Sequence, residues 1–171
     1  MSLPCRAMRT RLIPLLLIAA VGASSSCGAD AGPTPQPAPS ASIVVRAPAS
    51  IAVRVCPRCG DRVGELEAVV DLVIEETAGV GGQVTGVGVL LSGNGGPIEG
   101  PGVFDVETLT RFGVPTMRIN PRGSLTMPSI GVHFEPALRG RLPGTLRFTV
   151  MFRDDNGHAI TAEVVIQVTP S

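Results

Sequence analysis

The sequence of 171 residues lacks tryptophan, tyrosine and lysine, and it contains only five phenylalanines. Without aromatic platforms, the chain is a poor match for proteins that stack single-stranded nucleic acid or sugar rings. Its 14 basic residues, all arginine, are cancelled by 14 acidic residues, so the protein has no basic field to hold a polyanion. These absences predict that nucleic acid is not a partner.

A long apolar run is also missing, since the stretch from Leu12 to Ala20 falls well short of the roughly 20 residues that cross a bilayer as a helix. Three arginines, Arg6, Arg9 and Arg11, precede this stretch, and the small residues 21–26 follow it. This order is typical of a secretory signal peptide. We therefore predict that residues 1–26 direct export and are removed.

The segment Ser24-Ser25-Ser26-Cys27 resembles the lipobox of bacterial lipoproteins. The resemblance implies that Cys27 becomes the diacylated N-terminal residue and holds the protein to a membrane of the cell envelope, facing the periplasm or the exterior. Several acyl chains, at about 0.8 kcal/mol per buried methylene, would make this anchor essentially permanent. Gly28 resembles a residue that permits transport to an outer membrane. Cleavage after Ala29-Asp30-Ala31 is the alternative, and it would release a secreted protein.

Residues 27–42 are rich in proline, with Pro33, Pro35, Pro37 and Pro39 at alternate positions. Such a segment cannot bury a core and favours polyproline II. We predict a disordered linker that follows the lipidated cysteine and carries the rest of the chain as a stalk.

Alternation of apolar and polar residues dominates residues 43–171. Even positions are apolar in three stretches, which predicts three strands with one buried face, namely Leu66 to Ile74, Leu146 to Phe152 and Ile160 to Val168. Weaker strand signals lie at Ile43–Arg46, Ile51–Val55, Val84–Ser92, Val103–Leu109, Thr116–Ile119 and Ile130–Phe134. No stretch has a sustained helical period, so an all-β fold with short antiparallel strands is indicated.

The last two strands predict a specific hairpin. If even positions face inward on both strands, a two-residue loop at Asn156-Gly157 would place an inward residue opposite an outward one. A three-residue loop of Asp155, Asn156 and Gly157 avoids this conflict and gives Gly157 the left-handed position of a bulge. It places Asp154 opposite His158.

The segment Thr145–Thr169, two long strands joined by a tight Asp-Asn-Gly turn, resembles the end of bacterial immunoglobulin-like domains. The resemblance implies a single antiparallel immunoglobulin-like β-sandwich over residues 43–171. Domains of that family commonly serve in adhesion, spacing or assembly.

The motif Cys56-Pro57-Arg58-Cys59-Gly60 resembles one knuckle of a zinc ribbon and also the active-site motif of thiol-disulfide enzymes. A second knuckle is absent, and no helix is predicted after the motif to lower the pKa of a thiol. In an oxidising compartment, a structural disulfide between Cys56 and Cys59 is the preferred interpretation. Zinc binding and thiol redox chemistry remain the alternatives.

The acidic sequence Asp154-Asp155-Asn156-Gly157 could supply oxygen ligands for calcium, but a single acidic turn offers too few of them. Turn stabilisation by Asp155, Asn156 and Gly157 is therefore the preferred role.

The sequence as a whole predicts a non-catalytic envelope protein whose domain acts in binding, adhesion or spacing, without a cofactor or a bound metal. Its expected partners are the membrane, through the lipid anchor, and another envelope protein; no small-molecule substrate is evident. The alternative function is thiol-disulfide exchange or metal binding through Cys56 and Cys59.

Overall fold

The computed structural model describes residues 36–56 and 65–171, and the compact unit that contains the strands covers Pro37–Ser171. The predicted signal peptide lies outside the described residues. Most of the described chain is β-structure, which confirms the all-β class. Its elements are β1 (Ile43–Arg46), β2 (Ser50–Ala52), β3 (Arg54–Val55), β4 (Leu66–Glu76), β5 (Gly82–Gly93), β6 (Gly96–Asp105), α1 (Val106–Arg111), β7 (Arg118–Ile119), β8 (Ser124–Phe134), a short 3₁₀ helix (Pro136–Arg141), β9 (Gly144–Asp154) and β10 (Ala159–Thr169).

The strands form two sheets. In the first, β4 pairs with β8 along one edge and with β1 and β3 at the two ends of its other edge. The second sheet has the order β2-β10-β9-β5-β6, and β7 also pairs with β5.

One strand pair departs from the predicted antiparallel arrangement, because β2 runs parallel to β10. The chain leaves the first sheet after β1 and joins the second sheet without reversing direction. Pro48 lies between the two strands and has no N–H with which to extend the β1–β4 ladder. The prediction of a wholly antiparallel domain is therefore wrong at this edge.

Buried side chains from both sheets form a single hydrophobic cluster. The alternation in β4 and β9 is the predicted one, since Leu66, Leu72 and Ile74 are buried in β4 while Phe148 and Phe152 are buried in β9. Full burial of a side chain of this size contributes about 1.5–3 kcal/mol. The two-residue period therefore correctly identified the strands that carry the core.

The β9–β10 hairpin has the register that the alternation predicts. Phe152 lies opposite Ile160, and the backbone N–H of Asp154 donates to the carbonyl of His158 at 3.0 Å. Gly157 has a φ of +88°, in the left-handed region that favours glycine.

Two of the weaker strand predictions need correction. The predicted strand Ile51–Val55 is divided between β2 and β3, which belong to different sheets. The predicted strand Val103–Leu109 ends at Asp105, because the carboxylate of Asp105 accepts a hydrogen bond from the backbone N–H of Thr108 at 2.8 Å and starts α1 as its N-cap.

Candidate functional site

Three strands of the first sheet place three polar side chains in a row. Arg54 on β3 is paired with Glu67 on β4, and Glu67 is paired with His133 on β8. Directly paired residues in antiparallel strands project from the same face of a sheet. The Nε atom of Arg54 donates to Oε1 of Glu67 at 2.5 Å, and Nε2 of His133 lies 3.4 Å from Oε2 of Glu67. Glu67 is therefore held between two side chains from neighbouring strands.

The three members of this row differ in exposure. The side chain of Glu67 is only 8% exposed, whereas those of Arg54 and His133 are 64% and 47% exposed. The buried carboxylate is thus reached by two side chains whose own ends are in contact with water.

Cys56 follows β3 and comes close to the same row. Its backbone N–H donates to the carbonyl of Glu65 at 2.8 Å, which extends the β3–β4 ladder by one pair and places Cys56 on the face of Arg54. The sulfur of Cys56, a carboxylate oxygen of Glu67 and a ring nitrogen of His133 all lie within 4.8 Å of one another. Sulfur, imidazole nitrogen and carboxylate oxygen are the donor atoms by which proteins bind zinc.

Cys56 is disulfide-bonded in this structure. Its predicted partner, Cys59, lies outside the described residues, so the pairing of the two cysteines stays a prediction.

A cavity of about 730 Å³ opens beside Glu67 and His133. The side chains of Val69, Val89, Val132, Phe104 and Phe112 form apolar parts of its wall. Its remaining lining residues are polar or small, namely Arg54, Glu67, Glu99, Gly100, Gly102, Ser129, Gly131 and His133. Cavities of about 300–1,000 Å³ with mostly apolar walls and a few polar groups are typical of small-ligand sites.

The helix α1 positions one aromatic wall of the cavity. The N-cap Asp105 begins the helix, and its hydrogen bond from Thr108 lowers the pKa of its carboxyl group. One ion pair joins Glu107 and Arg111 along the exposed side of the helix. Phe112 ends the helix and meets Phe104 edge to face, with ring centroids 5.4 Å apart.

Two glycines that line the cavity differ in the space around them. At Gly131, a β-carbon would lie 2.0 Å from the carbonyl oxygen of Ala68, so no side chain fits at this position between β4 and β8. At Gly100, a β-carbon would meet no atom within 4 Å, so the space beside it is free. The first glycine is required by packing, and the second leaves volume that a larger residue could fill.

A second group of polar residues surrounds the buried carboxylate of Asp154 at the β9–β10 turn. Its oxygens accept hydrogen bonds from the backbone N–H groups of Ala41, Asn156 and His158, and Nδ1 of His158 lies 2.9 Å from Oδ2. Burial raises the pKa of Asp154, but the hydrogen bonds from His158 and Ala41 outweigh it and lower the pKa to about 2. Asp154 therefore remains ionised and joins the turn to the start of the domain.

Glu76, at the end of β4, is a second buried carboxylate that joins its sheet to the start of the domain. Its carboxylate accepts hydrogen bonds from the backbone N–H groups of Ser42, Ala78, Gly79 and Arg122 at distances of 2.8–3.3 Å. Burial opposes ionisation, yet these hydrogen bonds, that of Arg122 first among them, lower the pKa of Glu76. Glu76 and Asp154 thus hold adjacent residues of the entering chain, Ser42 and Ala41.

The predicted turn residues have structural contacts. Asp155 accepts two hydrogen bonds from the guanidinium of Arg118, at 2.5 and 2.7 Å, and this contact raises the pKa of Arg118. The side-chain amide of Asn156 donates to the carbonyl of Pro39 at 2.6 Å. These contacts fit the turn interpretation better than the calcium alternative, because Asp154 and Asp155 already accept hydrogen bonds from protein donors.

The remaining predicted site residues are distributed differently. Cys27 and Cys59 lie outside the described residues, and Cys56 adjoins a row of residues that the sequence did not indicate. The side chain of His133 is half exposed, whereas its neighbours Val132 and Phe134 are buried. Val69, on the same strand as Glu67, is partly buried and lines the cavity.

No protein-family model matches the sequence, and no curated protein matches it either. Within the part of the chain that the structure describes, no helix has the length and apolar character needed to cross a membrane.

Proposed function

We propose that this protein is a lipid-anchored component of the bacterial cell envelope and presents an immunoglobulin-like domain as a non-catalytic binding module. The lipobox-like residues before Cys27 and the proline-rich segment after it support the anchor and the stalk. The cavity beside Glu67 and His133 is the proposed binding site.

The strand pairing supports the immunoglobulin-like part of the proposal. In such domains one sheet contains the first, second and fifth strands, and its second strand pairs with the other two. The third, sixth and seventh strands form the opposite sheet. Counted among the longer strands, β4 and β8 correspond to the paired second and fifth strands. In the same way β5, β9 and β10 correspond to the third, sixth and seventh strands of the opposite sheet. The transfer of the entering chain from β1 in one sheet to β2 in the other fits the same plan.

The cavity is the observation that carries the proposed binding role. Its volume suits a small ligand, and its apolar walls and the polar row at Glu67 provide burial and orientation. We infer a ligand with an apolar body, held between Phe104, Phe112 and Val69, and with a polar group that hydrogen-bonds near Glu67 and His133. Such a ligand would bind mainly through apolar burial, at about 25 cal/mol for each Å² removed from water.

Indole, a small neutral aromatic compound, is a suitable probe for this site. The full chain contains only five phenylalanines, so the ring signals of selectively ¹³C-labelled phenylalanine are few enough to resolve. Indole should shift the NMR signals of Phe104 and Phe112, which line the cavity, and leave those of the core residues Phe148 and Phe152 in place. The proposal fails if the cavity signals do not move, or if all the rings respond equally.

A matched pair of glycine substitutions locates the binding. Gly100→Phe should fill the cavity and abolish the indole-induced shifts at Phe104 and Phe112. Gly140→Phe is the control, because a β-carbon at Gly140 also meets no atom within 4 Å and Gly140 does not line the cavity. Equal indole binding by both variants would place the ligand elsewhere.

A second candidate function is thiol-disulfide exchange or metal binding through Cys56 and Cys59. It is favoured by the position of Cys56 within 4.8 Å of donor atoms of Glu67 and His133. Mass spectrometry of the mature protein distinguishes the candidates, because it reports acylation of Cys27, the state of the cysteine pair and any retained metal. An appreciable rate of insulin reduction would favour the redox role.

A further inference from the structure

Three donor atoms of different chemical type converge where β3, β4 and β8 lie side by side. The sulfur of Cys56, a carboxylate oxygen of Glu67 and a ring nitrogen of His133 are within 4.8 Å of one another. Ligand atoms around a tetrahedral zinc ion, with bonds of about 2.0–2.3 Å, lie about 3.3–3.8 Å apart. Nε2 of His133 and Oε2 of Glu67, 3.4 Å apart, already have this separation, so side-chain shifts of about 1 Å are enough to bring the whole set to bonding distance.

The charges of this group depend on the state of the sulfur. In the disulfide form, Cys56 carries no charge, and the carboxylate of Glu67 is balanced by Arg54 at 2.5 Å. In the thiolate form, a second negative charge would stand beside Glu67. Two anionic donors and a neutral imidazole favour a divalent cation that accepts sulfur, nitrogen and oxygen ligands.

We propose that Cys56, Glu67 and His133 form a zinc site that is available only when the cysteine disulfide is reduced. A dithiol reductant supplies two electrons and two protons, is itself oxidised to a disulfide, and leaves two thiols in this chain. Zinc then displaces the thiol proton of Cys56 and the guanidinium of Arg54 from Glu67, and the imidazole binds through a deprotonated ring nitrogen. Thiol-disulfide exchange with an oxidised disulfide partner, which takes up the two electrons and two protons and leaves as two thiols, restores the disulfide of this chain, removes the sulfur ligand and releases the ion.

The proposed site holds three protein ligands, which leaves the fourth zinc position to water or another donor atom. Glu67 and His133 also line the cavity, so this position is accessible to a molecule bound there. The inference extends the second candidate function by adding Glu67 and His133 as ligands. It does not depend on indole binding in the cavity, and the two proposals can therefore fail separately.

Zinc titration of the full chain tests the redox dependence. The protein is reduced with a phosphine under nitrogen, freed of reductant and titrated with zinc chloride in a calorimeter; a second sample is titrated in its oxidised form. We expect one ion per chain to bind the reduced protein and at least about a hundredfold weaker binding to the oxidised protein, since a thiolate ligand is lost. Cobalt(II) should give a thiolate charge-transfer band in the reduced protein alone. Equal binding by both forms, or no binding by either, overturns the proposal.

Single substitutions test the ligand set. Glu67→Gln and His133→Gln should each weaken zinc binding to the reduced protein by at least about tenfold. Loss of a residue that only orients a metal ligand already lowers metal affinity by about this factor, so loss of a ligand should cost at least as much. His133→Gln is the more secure variant, because its half-exposed side chain can change without disturbing the core. His158→Gln removes the other histidine and should leave zinc affinity unchanged. If neither Glu67→Gln nor His133→Gln weakens binding, the cysteines alone hold the ion and the proposed site is wrong.

Discussion

The domain contains two kinds of buried carboxylate. Glu76 and Asp154 are bound mainly by backbone N–H groups, including those of Ser42 and Ala41 in the entering chain. Glu67 is bound by two side chains, Arg54 and His133, that are themselves largely exposed. Backbone donors are fixed by the fold, whereas the exposed side chains of Arg54 and His133 can rotate away when another cation takes their place beside Glu67. The first pair therefore belongs to the framework, and Glu67 belongs to a site whose partners can be exchanged.

The largest expected effect follows removal of a framework carboxylate. Glu76→Ala should lower the free energy of unfolding by about 3 kcal/mol or more, because several backbone N–H groups lose a charged acceptor. Urea denaturation of the full chain provides the measurement. Glu75→Ala is the matched control: Glu75 makes an exposed ion pair with Arg46, so the expected loss is about 0.5 kcal/mol. Similar losses in the two variants would remove the distinction between framework and exchangeable carboxylates.

Acidification should lower the free energy of unfolding by an intermediate amount, because it protonates Asp154 and Glu76. The pKa of Asp154 is about 2 in the folded protein, and that of Glu76 is also lowered. The unfolded chain has values of about 3.9 and 4.3, so it binds protons first as the pH falls. The stabilisation that ionised Asp154 and Glu76 give to the folded state is complete above about pH 5 and is lost as the pH falls towards about 2. Urea midpoints measured across this range should decrease, and Asp154→Asn should show a shallower decrease. An unchanged slope in that variant would assign the acid sensitivity to other groups.

The smallest expected change in stability comes from removing a partner of Glu67, the carboxylate that is bound by side chains. Arg54→Gln should alter the free energy of unfolding by about 1 kcal/mol or less, because the Arg54 side chain is 64% exposed and Glu67 keeps its contact with His133. The same substitution should tighten zinc binding by the reduced protein, since the cation that competes for Glu67 is gone. Urea denaturation and zinc calorimetry measure the two effects. A loss of stability as large as that of Glu76→Ala would make Arg54 a part of the framework.

The sequence alone predicted the β-structure and much of the core. Alternation in β4, β9 and β10 depends only on neighbours two residues apart, so it is visible in a single chain. The hairpin at Gly157 was predictable for the same reason, because parity and turn chemistry are both local. The first half of β6 was missed, since its glycines and prolines resemble a loop.

The candidate site was beyond the sequence because it depends on which strands pair. Glu67 and His133 come together only through the β4–β8 register, and no local pattern relates two segments so far apart in the chain. The cavity has the same origin, since Phe104 and Phe112 reach it through β6 and α1. The Cys-x-x-Cys motif is visible in the sequence, but the polar neighbours of Cys56 lie on other strands.

The contacts at Pro39, Ala41 and Ser42 also determine how the domain would respond to a mechanical load. A pull on the chain before Pro39 would act first on the contacts of Asn156, Asp154 and Glu76, and the latter two residues belong to different sheets. The tension would thus be divided between the sheets before it reached the paired strands and the hydrophobic interior. Under such a load these polar contacts would be the first to break, before the strand pairs of either sheet.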